Sequence, residues 1–298
     1  MSDHIILNEV GLRDGLQNHA TIVSTEDKLK LLDLLEQAGL THLEIASFVH
    51  PKVVPQMADA EAVVSGVDLS SRRYSGLIPN LRGYERAKLT GLREFGLIMS
   101  ASSTFSERNV KMSLDQARAT CDEVVDAIKA DGGHSRVYIS CACACPYEGK
   151  INEDFVVGLA ADILDKGANE VSISDTIGAG TPLQIANLTA PLIQQYGAER
   201  VNLHVHDTRG QALGMVWSAY LQGVRNFDAS IGGLGGCPFA PGASGNVATE
   251  DLVYMFNQSG ITTGVDFEAL ERAVAFAEAV TGSVLGGKSM QWLRRKST

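Results

Sequence analysis

Short runs of β-branched and other apolar residues alternate along the chain with longer amphipathic segments, at intervals of roughly 30 residues. Eight runs read as strands: Ile5–Val10, His42–Ala46, Arg73–Leu77, Glu94–Met99, Arg136–Ala142, Glu170–Ser174, Val201–His206 and Asn226–Ile231. Helical patterns fall between them. The first, from about Thr25 to Gln37, opens on a Ser24-x-x-Asp27 capping box, sets Leu29 and Leu32 on an apolar face and stops at Gly39. Another begins at Ser113-Leu-Asp-Gln116, and a further helical segment, Asp266–Thr281, follows the eighth unit.

A strand followed by a helix, repeated eight times, predicts a parallel sheet. The chain is therefore expected to be a single α/β domain spanning residues 1–298, a (β/α)8 TIM barrel with an additional C-terminal helical segment. A doubly wound dinucleotide-binding sheet fits less well, because the first strand leads into Gly11-Leu-Arg-Asp-Gly15 and not into GxGxxG.

Composition narrows the partners. The 298 residues are 45% hydrophobic, enough for a large core, and carry a net charge of −10. Nucleic acid and anionic membrane are excluded as main partners, because phosphate binding needs a basic face. A few lysines can still meet the phosphates of a CoA ester locally. No apolar run approaches the roughly 20 residues that cross a bilayer. Met1-Ser-Asp-His4 runs straight into Ile5-Ile-Leu7, leaving no room for a targeting presequence, so a cytoplasmic protein is expected. The five cysteines, at 121, 141, 143, 145 and 237, include no CxxC pair and fit reduced thiols. On a strand, Cys141, Cys143 and Cys145 would share one face, where small apolar thiols filling the barrel are a better account than a soft-metal site.

Candidate chemistry gathers where strands end. Arg13 and Asp14 follow the first strand, Glu44 lies near the end of the second, Asp175 ends the sixth, and His204, His206 and Asp207 end the seventh. On a strand His204 and His206 face the same way and can ligate one ion. Asp14 offers a hard carboxylate oxygen and Asn246 an amide oxygen, a set that suits Mg2+ or Mn2+ better than structural zinc. Glu44 reads as the partner of a barrel arginine. Asp175-Thr-Ile-Gly-Ala-Gly180 turns tightly at the rim. Six glycines between Gly232 and Asn246 surround Cys237 and give that loop the freedom to lie against a ligand.

Six segments carry a resemblance to the 3-hydroxy-3-methylglutaryl-CoA (HMG-CoA) lyase family of the DRE-TIM metallolyases. They are Glu9-Val-Gly-Leu-Arg-Asp-Gly-Leu-Gln-Asn18, Ser47 to Asp59, Cys145-Pro-Tyr-Glu-Gly-Lys150, Ser174-Asp-Thr-Ile-Gly178, His204-Val-His-Asp-Thr208 and the Cys237 loop through Asp251. The resemblance implies retro-Claisen cleavage of an acyl-CoA substrate to acetyl-CoA and acetoacetate. It implies a divalent cation on Asp14, His204, His206 and Asn246, and Arg13 at the thioester carbonyl. Further substrate contacts would come from Gln17, Ser47, Asn109 and Arg209. Cys237 would be the general acid, the base would be one of Asp14, Asp175 and His204, and the protein would be a homo-oligomer, a dimer by that resemblance. Three positions depart from the family pattern: Ala20 stands for a lysine, Ser103 for a glutamate and Arg209 for a tyrosine. Competing readings are a lyase for citramalyl-CoA or a longer branched glutaryl-CoA, and an acyl-CoA-binding barrel without turnover.

Overall fold

The computed structural model describes residues 4–236 and 245–296. Eight parallel strands close into a barrel: β1 Ile6–Glu9, β2 His42–Ser47, β3 Arg73–Leu77, β4 Glu94–Ser100, β5 His134–Ser140, β6 Glu170–Asp175, β7 Val201–Val205 and β8 Asn226–Ala229. Each strand pairs with its neighbours in sequence, and β8 pairs with β1 through Asn8 opposite Asp228. This is the (β/α)8 barrel expected from the repeat.

Alternation within the strands decides what fills the barrel. In β7 and the residue after it, Val201, Leu203 and Val205 face the surrounding helices, while Asn202, His204 and His206 face the interior. The same phase places Arg136 and Tyr138 of β5, Ser172 and Ser174 of β6, and Asn226 and Asp228 of β8 inward. Phe227 of β8 points outward and packs on Phe256, with ring centroids 5.5 Å apart. The apolar core of this fold is thus the layer between strands and helices, and the barrel interior is polar.

The helices start where their caps predict. Ser24 accepts the Asp27 N–H at the start of Thr25–Gln37, and Ser113 with Gln116 forms a reciprocal capping box for Leu114–Ala130. A short helix missing from the sequence reading, Ser103–Asn109, precedes the latter. Phe267–Thr281 follows its Asp266 cap and packs against Thr25–Gln37, and a further helix, Lys288–Lys296, ends the chain. Among the described residues no helix is long and apolar enough to cross a membrane.

One expectation is corrected. The fifth strand ends at Ser140, and Cys141 turns with φ +59°, its N–H donating to Thr176 Oγ1 at 2.8 Å. The three cysteines therefore do not share a strand face. Cys145 instead sits in a small hairpin, Ala144–Cys145 with Gly149–Lys150. All three are nevertheless buried, as space-filling thiols should be.

Glu9 ties the seam between β1 and β8. Its Oε1 accepts the N–H groups of Gly11 and Ile231, both at 2.8 Å, and its Oε2 accepts the Thr249 hydroxyl at 2.5 Å. Burial pushes this carboxyl up to about 7 despite the three hydrogen bonds. An unfolded glutamate titrates near ~4.3. The folded pKa is the higher of the two, so the associated stability is present below the unfolded value and is lost as pH rises through about 7. The urea midpoint should fall from about pH 5 to about pH 8. The fall should be shallower in Glu9→Gln, and an identical slope in the variant would show that Glu9 is not a source of it.

Candidate active site

The turn Gly11–Gly15, immediately after β1, delivers Arg13 and Asp14 to the carboxyl-terminal rim. Arg13 is buried and forked between two carboxylates: Nε donates to Glu44 Oε2 and Nη1 to Asp14 Oδ1, each at 2.5 Å. Its guanidinium also lies 5.4 Å from the centre of the Tyr138 ring. Glu44 is thus the arginine partner read from sequence. Its other oxygen, Oε1, is buried without a hydrogen bond.

Asp14, His204 and His206 converge, with one ligand atom from each lying within 4.8 Å of the others. The ring nitrogens on the far side are already engaged. His204 Nδ1 is 3.0 Å from Asp228 Oδ2, and His206 Nδ1 is 3.1 Å from the Asp175 carbonyl oxygen. Hydrogen bonds of this kind put the proton on Nδ1 and leave Nε2 as the donor atom for an ion. Asn246 forms a backbone β-bridge with His206, donates from Nδ2 to Asp14 Oδ2 at 2.8 Å and to the Leu234 carbonyl at 3.1 Å, and keeps Oδ1 buried with no hydrogen-bond partner among the described residues. A carboxylate, two imidazoles and an amide oxygen without a donor fit a hard or borderline divalent cation.

The electrostatics agree with that donor set. Burial would raise the Asp14 carboxyl, but Arg13 and the two imidazoles outweigh it and hold Asp14 well below the usual carboxylate range. Burial and the neighbouring His204 push His206 down to about 4, so it is neutral at physiological pH. Asp228 is also held below its ordinary value, because its bonds to His204 and Arg136 exceed the cost of burial.

The other expected residues are distributed around this cluster. Asp175 is fully buried, and its carboxylate oxygens accept the N–H groups of Ala179 (3.1 Å) and Gly180 (2.8 Å). It therefore pins its own loop while its carbonyl orients His206. Gln17 Oε1 and Ser47 Oγ are buried polar atoms with no hydrogen-bond partner among the described residues, as are Glu44 Oε1, Asn202 Oδ1 and Ser230 Oγ. Asn109 ends the helix after β4, and no hydrogen bond joins it to the cluster. Arg209 is exposed, and its Nη1 donates to the carbonyls of Ile177 (2.7 Å) and Gly178 (3.0 Å). It borders a groove of about 1210 Å3, together with Cys145, Lys150 and Thr208, which none of Asp14, His204, His206 and Asn246 lines. Cys237 falls outside the described residues. Ala20 and Ser103 are both exposed.

The sequence reading missed Asp228. A carboxylate between Phe227 and Ala229, in phase with the inward positions of a buried strand, was the available signal.

The HMGL-like family model matches residues 4–276. The chain belongs to the HMGL-like family. It is 46% identical over 264 residues to 3-hydroxy-3-methylglutaryl-CoA lyase, cytoplasmic, of Danio rerio, covering 88% of this chain and 79% of that one. The structure of hydroxymethylglutaryl-CoA lyase from Pseudomonas aeruginosa superimposes with a TM-score of 0.95 at 40% identity, over 99% of both chains. That of an HMG-CoA lyase from Acinetobacter baumannii, in complex with coenzyme A and 3-methylmalate, gives 0.92 at 38% identity, over 97% of this chain and 94% of that one. As a DRE-TIM metallolyase family, HMGL-like proteins imply a divalent metal, and Asp14, His204 and His206 are placed where they could hold one.

Gly235 packs directly on the Asn246 amide beside this candidate site. Its φ is +134°, and a Cβ there would lie 2.6 Å from Asn246 Nδ2. Gly235→Ala should displace the Asn246 amide and weaken Mn2+ binding by about tenfold. Calorimetric titration measures this, and unchanged affinity would remove Asn246 from the metal shell.

Proposed function

We propose that this protein cleaves 3-hydroxy-3-methylglutaryl-CoA by a retro-Claisen reaction to acetyl-CoA and acetoacetate. The observation that carries the reading is the convergence of Asp14, His204 and His206 beside a buried Arg13 in a member of the HMGL-like family. A cation, Mg2+ or Mn2+, held by Asp14, His204, His206 and the Asn246 amide oxygen, would supply Lewis-acid polarisation of the substrate's hydroxyl and of the ketone that forms.

The remaining chemistry falls to side chains. One group among Asp14, Asp175 and His204 takes the proton of the tertiary hydroxyl, and the electron pair of the O–H bond becomes the ketone of acetoacetate as the bond to the α-carbon breaks. The pair from that carbon–carbon bond passes to the thioester as an enolate. Arg13, fixed in direction by Glu44 and Asp14, places its guanidinium against the enolate oxygen and requires no reorganisation as charge develops. Cys237 then gives its proton to the α-carbon as a general acid. Gln17 and Ser47 supply the polar contacts their unpaired atoms offer. A reducing compartment such as the cytosol fits the four described cysteines, none of which is in a disulfide. The dimer is read from resemblance, and light scattering measures it.

Purified protein given Mg2+ or Mn2+ should convert HMG-CoA to acetoacetate and acetyl-CoA, and chelation should abolish turnover. Citramalyl-CoA assayed alongside identifies a different acyl preference, and full activity in chelator would overturn the metal requirement. His206→Ala should lower kcat by at least about a hundredfold, because a lost ligand affects every turnover. Cys237→Ala should lower kcat with KM nearly unchanged, because its proton is needed only after bond cleavage. Wild-type turnover in that variant would place the proton donor elsewhere.

A further inference from the structure

Arg136 takes no part in the proposed reaction, yet it belongs to a buried column of charge that ends on a metal ligand. The column begins at the amino-terminal floor of the barrel, where His134 Nε2 lies 3.2 Å from Glu170 Oε1. Glu170 Oε2 accepts Arg136 Nε at 2.8 Å and Nη2 at 2.7 Å. Arg136 Nη1 continues to Asp228 Oδ1 at 3.3 Å, and Asp228 Oδ2 meets His204 Nδ1 at 3.0 Å.

The geometry around Asp228 is over-determined. Its Oδ1 also accepts Nδ2 of Asn8 at 2.9 Å and Nδ2 of Asn202 at 3.0 Å. Three donors from β1, β5 and β7 therefore saturate one oxygen, and the other is left for His204 alone. A carboxylate held this way cannot rotate without breaking bonds to three strands. The orientation of His204 is then inherited from the network beneath it, because a ligating imidazole is aimed by the hydrogen bond on its far nitrogen.

We propose that Arg136 is a positioning residue for the metal site: clamped by Glu170, it holds Asp228 where that carboxylate fixes His204 Nδ1–H and turns Nε2 toward Asp14 and His206. This rests on the reading that Asp14, His204 and His206 bind a divalent cation. An arginine serving only the fold would occupy the same place without influencing the ion.

Mn2+ binding to the intact protein, followed by electron paramagnetic resonance, separates the two roles in a double-mutant cycle of Arg136→Met and Asp228→Asn. Each single variant should weaken Mn2+ binding by about 10- to 100-fold. The double variant should lose no more than Asp228→Asn alone, because Arg136 acts through Asp228. In the metal-free protein, 15N shifts of the histidine rings should show His204 protonated on Nδ1 in the wild type and a mixture of tautomers in Arg136→Met. Arg73→Met, which breaks the neighbouring floor pair with Glu94, should leave Mn2+ affinity as it was.

Should Arg136→Met alone fail to fold, the double variant, which removes the Asp228 charge and leaves Glu170 with His134, is compared directly with Asp228→Asn. Equal affinity supports the proposal, and a further tenfold loss overturns it. Wild-type affinity and tautomer in a folded Arg136→Met also overturn it. Failure of the wild type itself to bind Mn2+ removes the metal reading on which the proposal stands.

Discussion

Polar side chains inside a closed barrel must satisfy one another, because water has no free access and an unpaired buried group costs about 1–3 kcal/mol. This protein meets that constraint with one carboxylate. Asp228 accepts from Asn8, Asn202, Arg136 and His204, gathering β1, β5, β7 and β8 around a single point. The site above is arranged on that base. His204 is aimed by Asp228, His206 by the backbone of Asp175, and Arg13 by Glu44. Each of these three side chains is thus held on its far side by a buried partner, and the buried atoms without one among the described residues include those of Asn246, Gln17 and Ser47, which face incoming groups in the proposed reaction, but also Glu44 Oε1 and Asn202 Oδ1 inside the network itself.

The same arrangement prepares two of the donors, Asp14 and His206, before any ion arrives. Asp14 remains ionised because Arg13 and two imidazoles surround it, and His206 remains neutral because burial disfavours its cation. Both are therefore in the form a divalent cation needs at neutral pH, without displacing a proton from either. The barrel divides its labour along its axis: the floor consists of ion pairs such as Arg73 with Glu94 and Arg136 with Glu170, while the rim carries the ligands. The polar interior connects the two ends.

Asp175 and Arg209 each have a structural part at the rim, whatever part they take in the reaction. The Asp175 carboxylate staples Ala179 and Gly180, and Arg209 clasps the carbonyls of Ile177 and Gly178 from the next loop. Together they stiffen the loop after β6, beside Asp175, the strand's last residue, which orients His206. Arg209 thus has local backbone partners in this chain.

Much was legible in the sequence because it is local. The repeat of strand and helix follows from periodicity, the starts at Ser24 and Ser113 follow from side chains that cap their own helices, and the shared face of His204 and His206 follows from the pleat. The pairing of Glu44 with an arginine was also inferable in kind. What the chain order could not say is which groups meet across the barrel. Asp228 lies 24 residues from His204 and 220 from Asn8, and its importance exists only once β8 closes against β1. The turn at Cys141 was hidden for a similar reason, since Thr176, from the loop after β6, accepts its N–H and ends the strand two residues before the alternating pattern does. Residue type and period determined the barrel, its rim and the candidate ligands; closure of the sheet decided which buried partner aims each of them, because that depends on distances between strands that the sequence does not encode one segment at a time.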